Sequence, residues 1–323
     1  MLLTLLRLGT IRFAVFYLMG FLIGFSNSWL RDPLTLTIGA TFCVTFSLGV
    51  ELLNRWADQD HDLLSEPERF DQCRKFGFGR IRLTAWLSLG GSLLLGVALL
   101  AWRPDPVVAV LGAVSLMLGA AYSAGPRLKI HGAWTPILLT TTVTFPMVIG
   151  LRLSPAGGEW TTIGAVFVLL TCASLSTMGV KDLADVEGDR ACGYDSVWPR
   201  LMEDRRWVPL AIVLLVQVGA AAVGVGIVGR TMAIAFLLPP LELLVVHKAF
   251  RATRNHQEPV VRELMYWQTL VSVGLVGIAV RPSLATGIVA GAALVAWWAA
   301  SRWLHWQPHY FARELWSLVR VGP

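Results

Sequence analysis

The sequence predicts an all-α fold, a polytopic bundle of about nine or ten transmembrane helices. Three observations carry that expectation. Hydrophobic residues make up 55% of the 323 and charged residues only 15%, against about a quarter charged in an average soluble domain. The apolar residues are gathered into runs of about 20 with few or no charges, the length that crosses a bilayer. A soluble core cannot enclose that many helices that are apolar on every side.

The runs lie at 12–30, 34–54, 83–102, 106–124, 133–153, 160–180, 208–228, 231–248, 264–280 and 283–303. The first resembles a signal peptide at its start. The apolar stretch after Arg12 is too long for one and lacks a small-residue cleavage site, so a first span is expected. Pro136 and Pro146 fall in the fifth run, and Pro239 and Pro240 in the eighth. Each removes a backbone donor and predicts a kink. The tenth run completes one continuous membrane domain over 1–323.

The connections alternate between long and short. The long ones, 55–82, 181–207 and 249–263, lie on one side with a shorter one at 125–132. The short ones hold a single basic residue each: Arg31, Arg103, Arg152, Arg230 and Arg281. The other 22 of the 27 Lys and Arg fall on the opposite side if both termini are placed there. Cytoplasmic loops carry the excess of Lys and Arg, so the long loops and both termini are expected in the cytoplasm. The net charge of +6 is thus read as topology. No nucleic-acid partner is expected, because no basic helix with interleaved aromatics occurs. Cys43, Cys73, Cys172 and Cys192 form no C-x-x-C pair, which argues against sulfur-bound metal.

Two acidic clusters stand out. In the first, Asn54, Asp58 and Asp62 recur every four residues, with Glu51 one turn earlier. If the helix continues, they share one face. In the second, Asp182, Asp185 and Asp189 follow i, i+3, i+7 spacing, again one face, and Gly188 allows the helix to end. Like charges at this spacing repel, and carboxylates near a membrane are costly. A compensating cation is implied. Mg²⁺ fits, because it takes oxygen ligands and bridges carboxylates to a substrate phosphate. The plainer alternative is solvated charge at helix ends. Two clusters at corresponding helix ends favour the site. Basic residues flank both: Arg69 after the first, Lys181 opening the second, and Tyr122, Arg127 and Lys129 at the end of the fourth run. Arginine grips phosphate as a fork and lysine as a point charge.

These residues resemble the UbiA superfamily of intramembrane prenyltransferases. Asn54, Asp58 and Asp62 match its N-x-x-x-D-x-x-x-D motif, and Asp185 and Asp189 its second, aspartate-rich motif. The stretch from Lys181 to Arg190 is similar to homogentisate prenyltransferases and chlorophyll synthases, and Tyr122 to Lys129 also follows the family. The resemblance implies helices, usually nine, around a central cavity, with 283–303 as an extra C-terminal helix. It implies an isoprenyl diphosphate held through Mg²⁺ by Asn54, Asp58, Asp62, Asp182, Asp185 and Asp189. Asp58, Asp62, Asp185 and Asp189 would be catalytic. Asn54, Arg69, Tyr122, Arg127, Lys129 and Lys181 would contact the diphosphate. The donor's tail would lie in an apolar channel open to the bilayer, and an aromatic or other small-molecule acceptor would capture the prenyl group. The expected setting is a bacterial cell membrane with the active-site loops in the cytoplasm.

Two positions depart from the family pattern. Glu66 and Asp195 stand where basic residues are usual. Some members ionise the diphosphate and cyclise the chain without an acceptor, so a UbiA-type terpene cyclase is the alternative reaction, with Trp56 as a candidate cavity aromatic. A transporter or scaffold is the non-enzymatic alternative, in which Glu242 and His247 in the eighth run would mark a proton path.

Overall fold

A computed structural model describes residues 2–131, 134–154, 158–177, 180, 183, 186–191, 193, 207–255 and 258–304. Each of the ten apolar runs is mainly helical over its described residues. In chain order the helices are α1 (Leu2–Leu8), α2 (Ala14–Phe25), α3 (Pro33–Ala57), α4 (Gln59–Ser65), α5 (Pro67–Phe76), α6 (Phe78–Trp102) and α7 (Pro106–Ser123). They continue with α8 (Trp134–Leu153), α9 (Trp160–Thr177), α10 (Val186–Ala191), α11 (Val208–Ile227), α12 (Leu238–Asn255), α13 (Glu258–Val280) and α14 (Leu284–Trp303). Among the described residues, eight helical stretches are each long and apolar enough to cross a bilayer. Leu2–Leu8 and Ile11–Phe25, bent by 66° at their break, make a ninth together. Large apolar side chains such as Leu87, Leu94, Ile212 and Leu215 are exposed on the outside, as lipid-facing residues should be. The chain is an integral membrane protein.

The prolines behave in two ways. Pro239 and Pro240 do not interrupt a helix. They stand at the start of α12, after a 3₁₀ stretch over Arg230–Leu237, where a missing N–H costs little. Pro146 lies inside α8.

Close packing is set by small residues. A Cβ on Gly24 would fall 2.3 Å from the Met147 carbonyl oxygen, and one on Gly150 would fall 2.4 Å from that of Phe21. The backbones of α2 and α8 therefore touch, through the Gly20–Gly24 pair at the spacing that permits close helix approach in membranes. α3 packs on α6. Gly49 meets Leu89, Thr45 Oγ1 lies 2.9 Å from Ser92 Oγ, and Gly96 faces the Phe42 ring. α7 follows the same face of α3, with Gly119 against Val50 and Phe46.

Away from the mouth, the arginines of two short connections are tied to aspartates that cap helices. Arg103 donates to Asp32 at 2.9 Å and Arg152 to Asp105 at 2.6 Å. Asp32 caps α3 and Asp105 caps α7, adding negative charge at the positive end of each helix dipole. The second half of the bundle, α9 and α11 to α14, encloses a dense core around Leu169, Met232, Leu270 and Val276. Arg12 is buried where the halves meet, at the edge of a cavity. It donates to Glu263 at 2.7 Å and to Ser301 at 3.3 Å, and its guanidinium lies 4.7 Å from the Trp297 ring and 5.6 Å from that of Tyr266.

Candidate active site: an acidic mouth over an apolar cavity

One cavity of about 370 Å³ lies among α2, α3, α6, α7 and α8, with Arg262 and Tyr266 of α13 on one wall. Its α3 wall reads Gly39, Phe42, Phe46, Val50, Asn54 and Asp58, one stripe at helical spacing. The lower part of that stripe is apolar and the upper part carries the first acidic cluster.

The helix does not run through that cluster unbroken. α3 ends at Ala57, and Asp58 is its C-cap with φ −98° and ψ 24°. The four-residue backbone bonding persists across the break: Asp58 N–H donates to Asn54 O at 2.9 Å and Asp62 N–H to Asp58 O at 2.7 Å. Asn54, Asp58, Asp62 and Glu66 therefore all still line the cavity.

The cluster is neutralised from two directions. Lys129 Nζ donates to Asn54 Oδ1 at 2.7 Å and also to the Asp58 carboxylate. Ser123 Oγ, at the end of α7, donates to the same Asn54 oxygen at 2.8 Å. Lys129 reaches α3 through a tight turn. Gly125 has φ 64°, and Arg127 sits in the left-handed region at φ 48°, a conformation that costs a non-glycine residue about 1–2 kcal/mol. Arg127 Nη2 donates to Ala57 O at 3.0 Å, which holds the turn against the end of α3. The Tyr122 ring lies 5.9 Å from Lys129 Nζ. Burial pushes the Lys129 ammonium below its ordinary value, an effect that Asp58 partly offsets.

Asp62 is 1% exposed and gripped by Arg69, whose Nε donates to Oδ2 at 3.1 Å. Arg55 lies 3.9 Å away. Burial works against its ionisation, but the hydrogen bond from His61 and the charges of Arg69 and Arg55 outweigh burial and hold the carboxyl well below the usual range. Arg69 also pairs with Glu66 at 3.2 Å, while Glu66 Oε2 is buried with no hydrogen-bond partner among the described residues. The acidic residue at the departing position thus has a local cation.

Lys181, Asp182, Asp185 and Asp195 lie outside the described residues, as does the side chain of Asp189. The backbone carrying Asp189 is placed: α10 packs against α4, the helix that carries Asp62. The ends of the two motifs are therefore neighbours. Among the described residues, no three His, Cys, Asp or Glu side chains gather closely enough to hold a metal unaided.

Sequence reasoning passed over Arg55, His61 and Ser123, which complete the mouth. Arg55 carried a signal, since a buried cation next to a span needs a partner. Trp56 is not on the cavity wall; Arg82 lies over its ring at 4.8 Å. Glu242 is also remote from the cavity. It is fully buried, accepting from Gln217 Nε2 at 2.7 Å and Ser176 Oγ at 2.6 Å. His247 is exposed.

Comparison with known proteins supplies a frame for this geometry. A profile of the UbiA prenyltransferase family matches residues 13–270. Chlorophyll synthase of Oryza sativa subsp. japonica is 28% identical over 179 residues, 53% of this chain and 46% of the relative. Its Arabidopsis thaliana counterpart is 29% identical over 178 residues, 53% of this chain and 45% of that one. The chain thus spans less than half the length of these curated relatives. Among solved structures, a UbiA homolog from Archaeoglobus fulgidus bound to DMAPP and Mg²⁺ superposes with a TM-score of 0.56 at 16% identity, covering 92% of this chain and 98% of that one. The same homolog bound to GPP and Mg²⁺ gives 0.57 at 18%, covering 86% and 99%. A structure of digeranylgeranylglyceryl phosphate synthase gives 0.59 at 13%, covering 90% and 98%. At these identities the structural likeness speaks to fold.

Proposed function

Because the chain belongs to the UbiA prenyltransferase family, we propose that it ionises an isoprenyl diphosphate at the mouth of this cavity and transfers the prenyl group to an acceptor. The observation that supports this best is one cavity with a carboxylate-lined mouth and a hydrocarbon-lined interior, matching a charged head on an apolar tail.

The donor set at the mouth fits Mg²⁺. Asn54 and Asp58 offer oxygens only, and both already converge on one positive centre, the Lys129 ammonium. Hard cations of this size prefer such oxygens together with substrate phosphates. In this reading Asn54, Asp58 and Asp62, together with Asp182, Asp185 and Asp189, would hold Mg²⁺. Bound there, Mg²⁺ neutralises the negative charge that builds on the departing diphosphate.

The chain's own cations do the rest. Lys129, Arg69, Arg127 and Lys181, with the Tyr122 hydroxyl, bind the diphosphate oxygens and stabilise its departure. The C1–O bond breaks, and the electron pair leaves with pyrophosphate. The allylic cation remains beneath the mouth, beside the rings of Phe13, Phe16 and Tyr17, which also line the cavity. Aromatic faces stabilise such a cation. An acceptor then gives an electron pair to C1 and loses a proton. The same aromatic wall favours a second reading, a terpene cyclase in which the tail's own double bond supplies the pair. Under the positive-inside rule the mouth faces the cytoplasm, and we place the protein in a bacterial cell membrane.

Purified protein incubated with Mg²⁺ and geranyl, farnesyl and geranylgeranyl diphosphates tests this. Prenylated product is expected only when an aromatic or other small-molecule acceptor is added, and Asp58→Ala and Asp185→Ala should each lower turnover by at least about 10²-fold. Cyclic hydrocarbon or alcohol without acceptor would favour the cyclase. Inertness throughout, with the two variants indistinguishable from the parent, would remove the enzymatic reading.

A further inference from the structure

Resting on that reading of the mouth, we propose that the cavity selects a donor of about four isoprene units over shorter ones, and that Gly96 and Gly112 admit the far half of its tail. Asn54 and Gly39 mark the two ends of the α3 stripe and are fifteen residues apart. That is about 22 Å along a helix rising about 1.5 Å per residue. An extended prenyl chain advances roughly 5 Å per unit, given carbon–carbon bonds near 1.5 Å. Four units fill the length; two leave its far half empty.

The far end is closed. The Phe21 ring lies directly on Gly39, where a Cβ would fall 2.1 Å away. Phe25 stacks on Phe21 with ring centres 5.8 Å apart. Leu99 and Val108 are each 4% exposed and line the same end. Beyond them lies the Arg103–Asp32 pair, a polar rim that a hydrocarbon tail avoids.

Two glycines keep the far half open. A Cβ on Gly96 would come within ordinary contact of the Phe42 ring, at 3.6 Å, and one on Gly112 would meet nothing within 4 Å. On α7, Val108, Gly112, Leu116 and Gly119 line the cavity at helical spacing, so Gly112 is central to the face turned inward. Ser123 bonds to Asn54, which fixes the register of α7 against α3. That register puts Gly112 near the depth of Phe42 and Gly96, about 16–18 Å below the mouth. A large side chain at either glycine would stand across the path of the fourth unit. Leu93 and Val97, 53% and 56% exposed, line the cavity at the same depth. The chamber therefore opens sideways to lipid there, which gives the surplus of a longer donor an exit. Lipid solvates an isoprenoid as well as an apolar wall does, so selection comes from packing contacts that a short tail leaves unmade.

The test measures dissociation constants for geranyl and geranylgeranyl thiodiphosphate, with Mg²⁺, in one detergent. The proteins are the parent, Gly112→Phe and Gly96→Phe, with thermal unfolding followed for each. Comparing the ratio of the two constants between parent and variant cancels each ligand's own partition into detergent, and the parent's own ratio is corrected by each ligand's partition measured in protein-free micelles. The parent should bind the longer ligand more tightly, and each variant should lower that preference at least tenfold. The glycines are on different helices, so one misfolded variant leaves the other to decide. A ratio that is the same in the parent and in a folded variant overturns the proposal, as does a parent blind to length. Length-blind binding that Asp58→Ala still abolishes overturns only this inference. Binding that Asp58→Ala leaves intact removes the functional reading, and this inference with it.

Discussion

The molecule holds buried carboxylates in two contrasting ways. At the mouth, Asp58 and Asp62 are compensated by flexible cations, Lys129 and Arg69, beside an open cavity. In the second half of the bundle, Glu242 is compensated by neutral donors, Gln217 and Ser176, away from that cavity. Next to it Thr177 Oγ1 donates to Gln268 Oε1 at 2.9 Å, and Gln268 Nε2 donates to Ser272 at 2.9 Å, tying α9 to α13. A carboxylate matched by a mobile cation can exchange that partner for a metal or a ligand. One fixed by amide and hydroxyl groups on neighbouring helices has no exchange partner and joins the helices instead.

The strongest way to break this contrast is Lys129→Met. It takes the Lys129 ammonium away from Asp58, and removing one member of a buried ion pair costs about 3–5 kcal/mol. The variant should melt well below the parent in EDTA and recover more on adding Mg²⁺ than the parent does. Equal responses to Mg²⁺ in thermal unfolding would mean that Lys129 and the metal do not share oxygens. Glu242→Leu should cost about 1–3 kcal/mol, because the Gln217 amide loses its closer acceptor at a buried site and keeps only the Leu169 carbonyl at 3.4 Å. Its melting deficit should be the same in EDTA and in Mg²⁺; a deficit that Mg²⁺ repairs would make Glu242 part of the site. Ser176→Ala removes one hydrogen bond from that network and should cost about 1 kcal/mol, read from the same melting curves, with donor affinity unchanged. A shift in donor affinity would show that the network tunes the second motif.

The parts that were legible in the sequence follow simple periodicities. Ten apolar runs gave ten helical stretches because span length and hydropathy are local properties. Asn54, Asp58 and Asp62 stayed on one wall despite the break after Ala57, since the four-residue backbone bonds continue through it. What the sequence concealed depends on contacts between distant segments. The pairing of Lys129 with Asn54 spans 75 positions and needs the left-handed turn at Arg127. Pro239 and Pro240 read as a kink, yet a 3₁₀ stretch before them turned the pair into a helix start. Trp56 lay within the motif but on the opposite side of the helix from the cavity. The depth of the chamber was also hidden, because Gly39, Gly96 and Gly112 come from three helices whose register no spacing encodes.

The burial of Arg12 has a consequence in time. Its charge is in the 3₁₀ turn Ile11–Phe13 that leads into α2, made well before Trp297 and Ser301 of α14. An unshielded guanidinium among lipid tails is unfavourable by at least about 2.5 kcal/mol. That charge therefore waits for α14, far downstream in the chain, to be threaded into the membrane before it reaches its final surroundings.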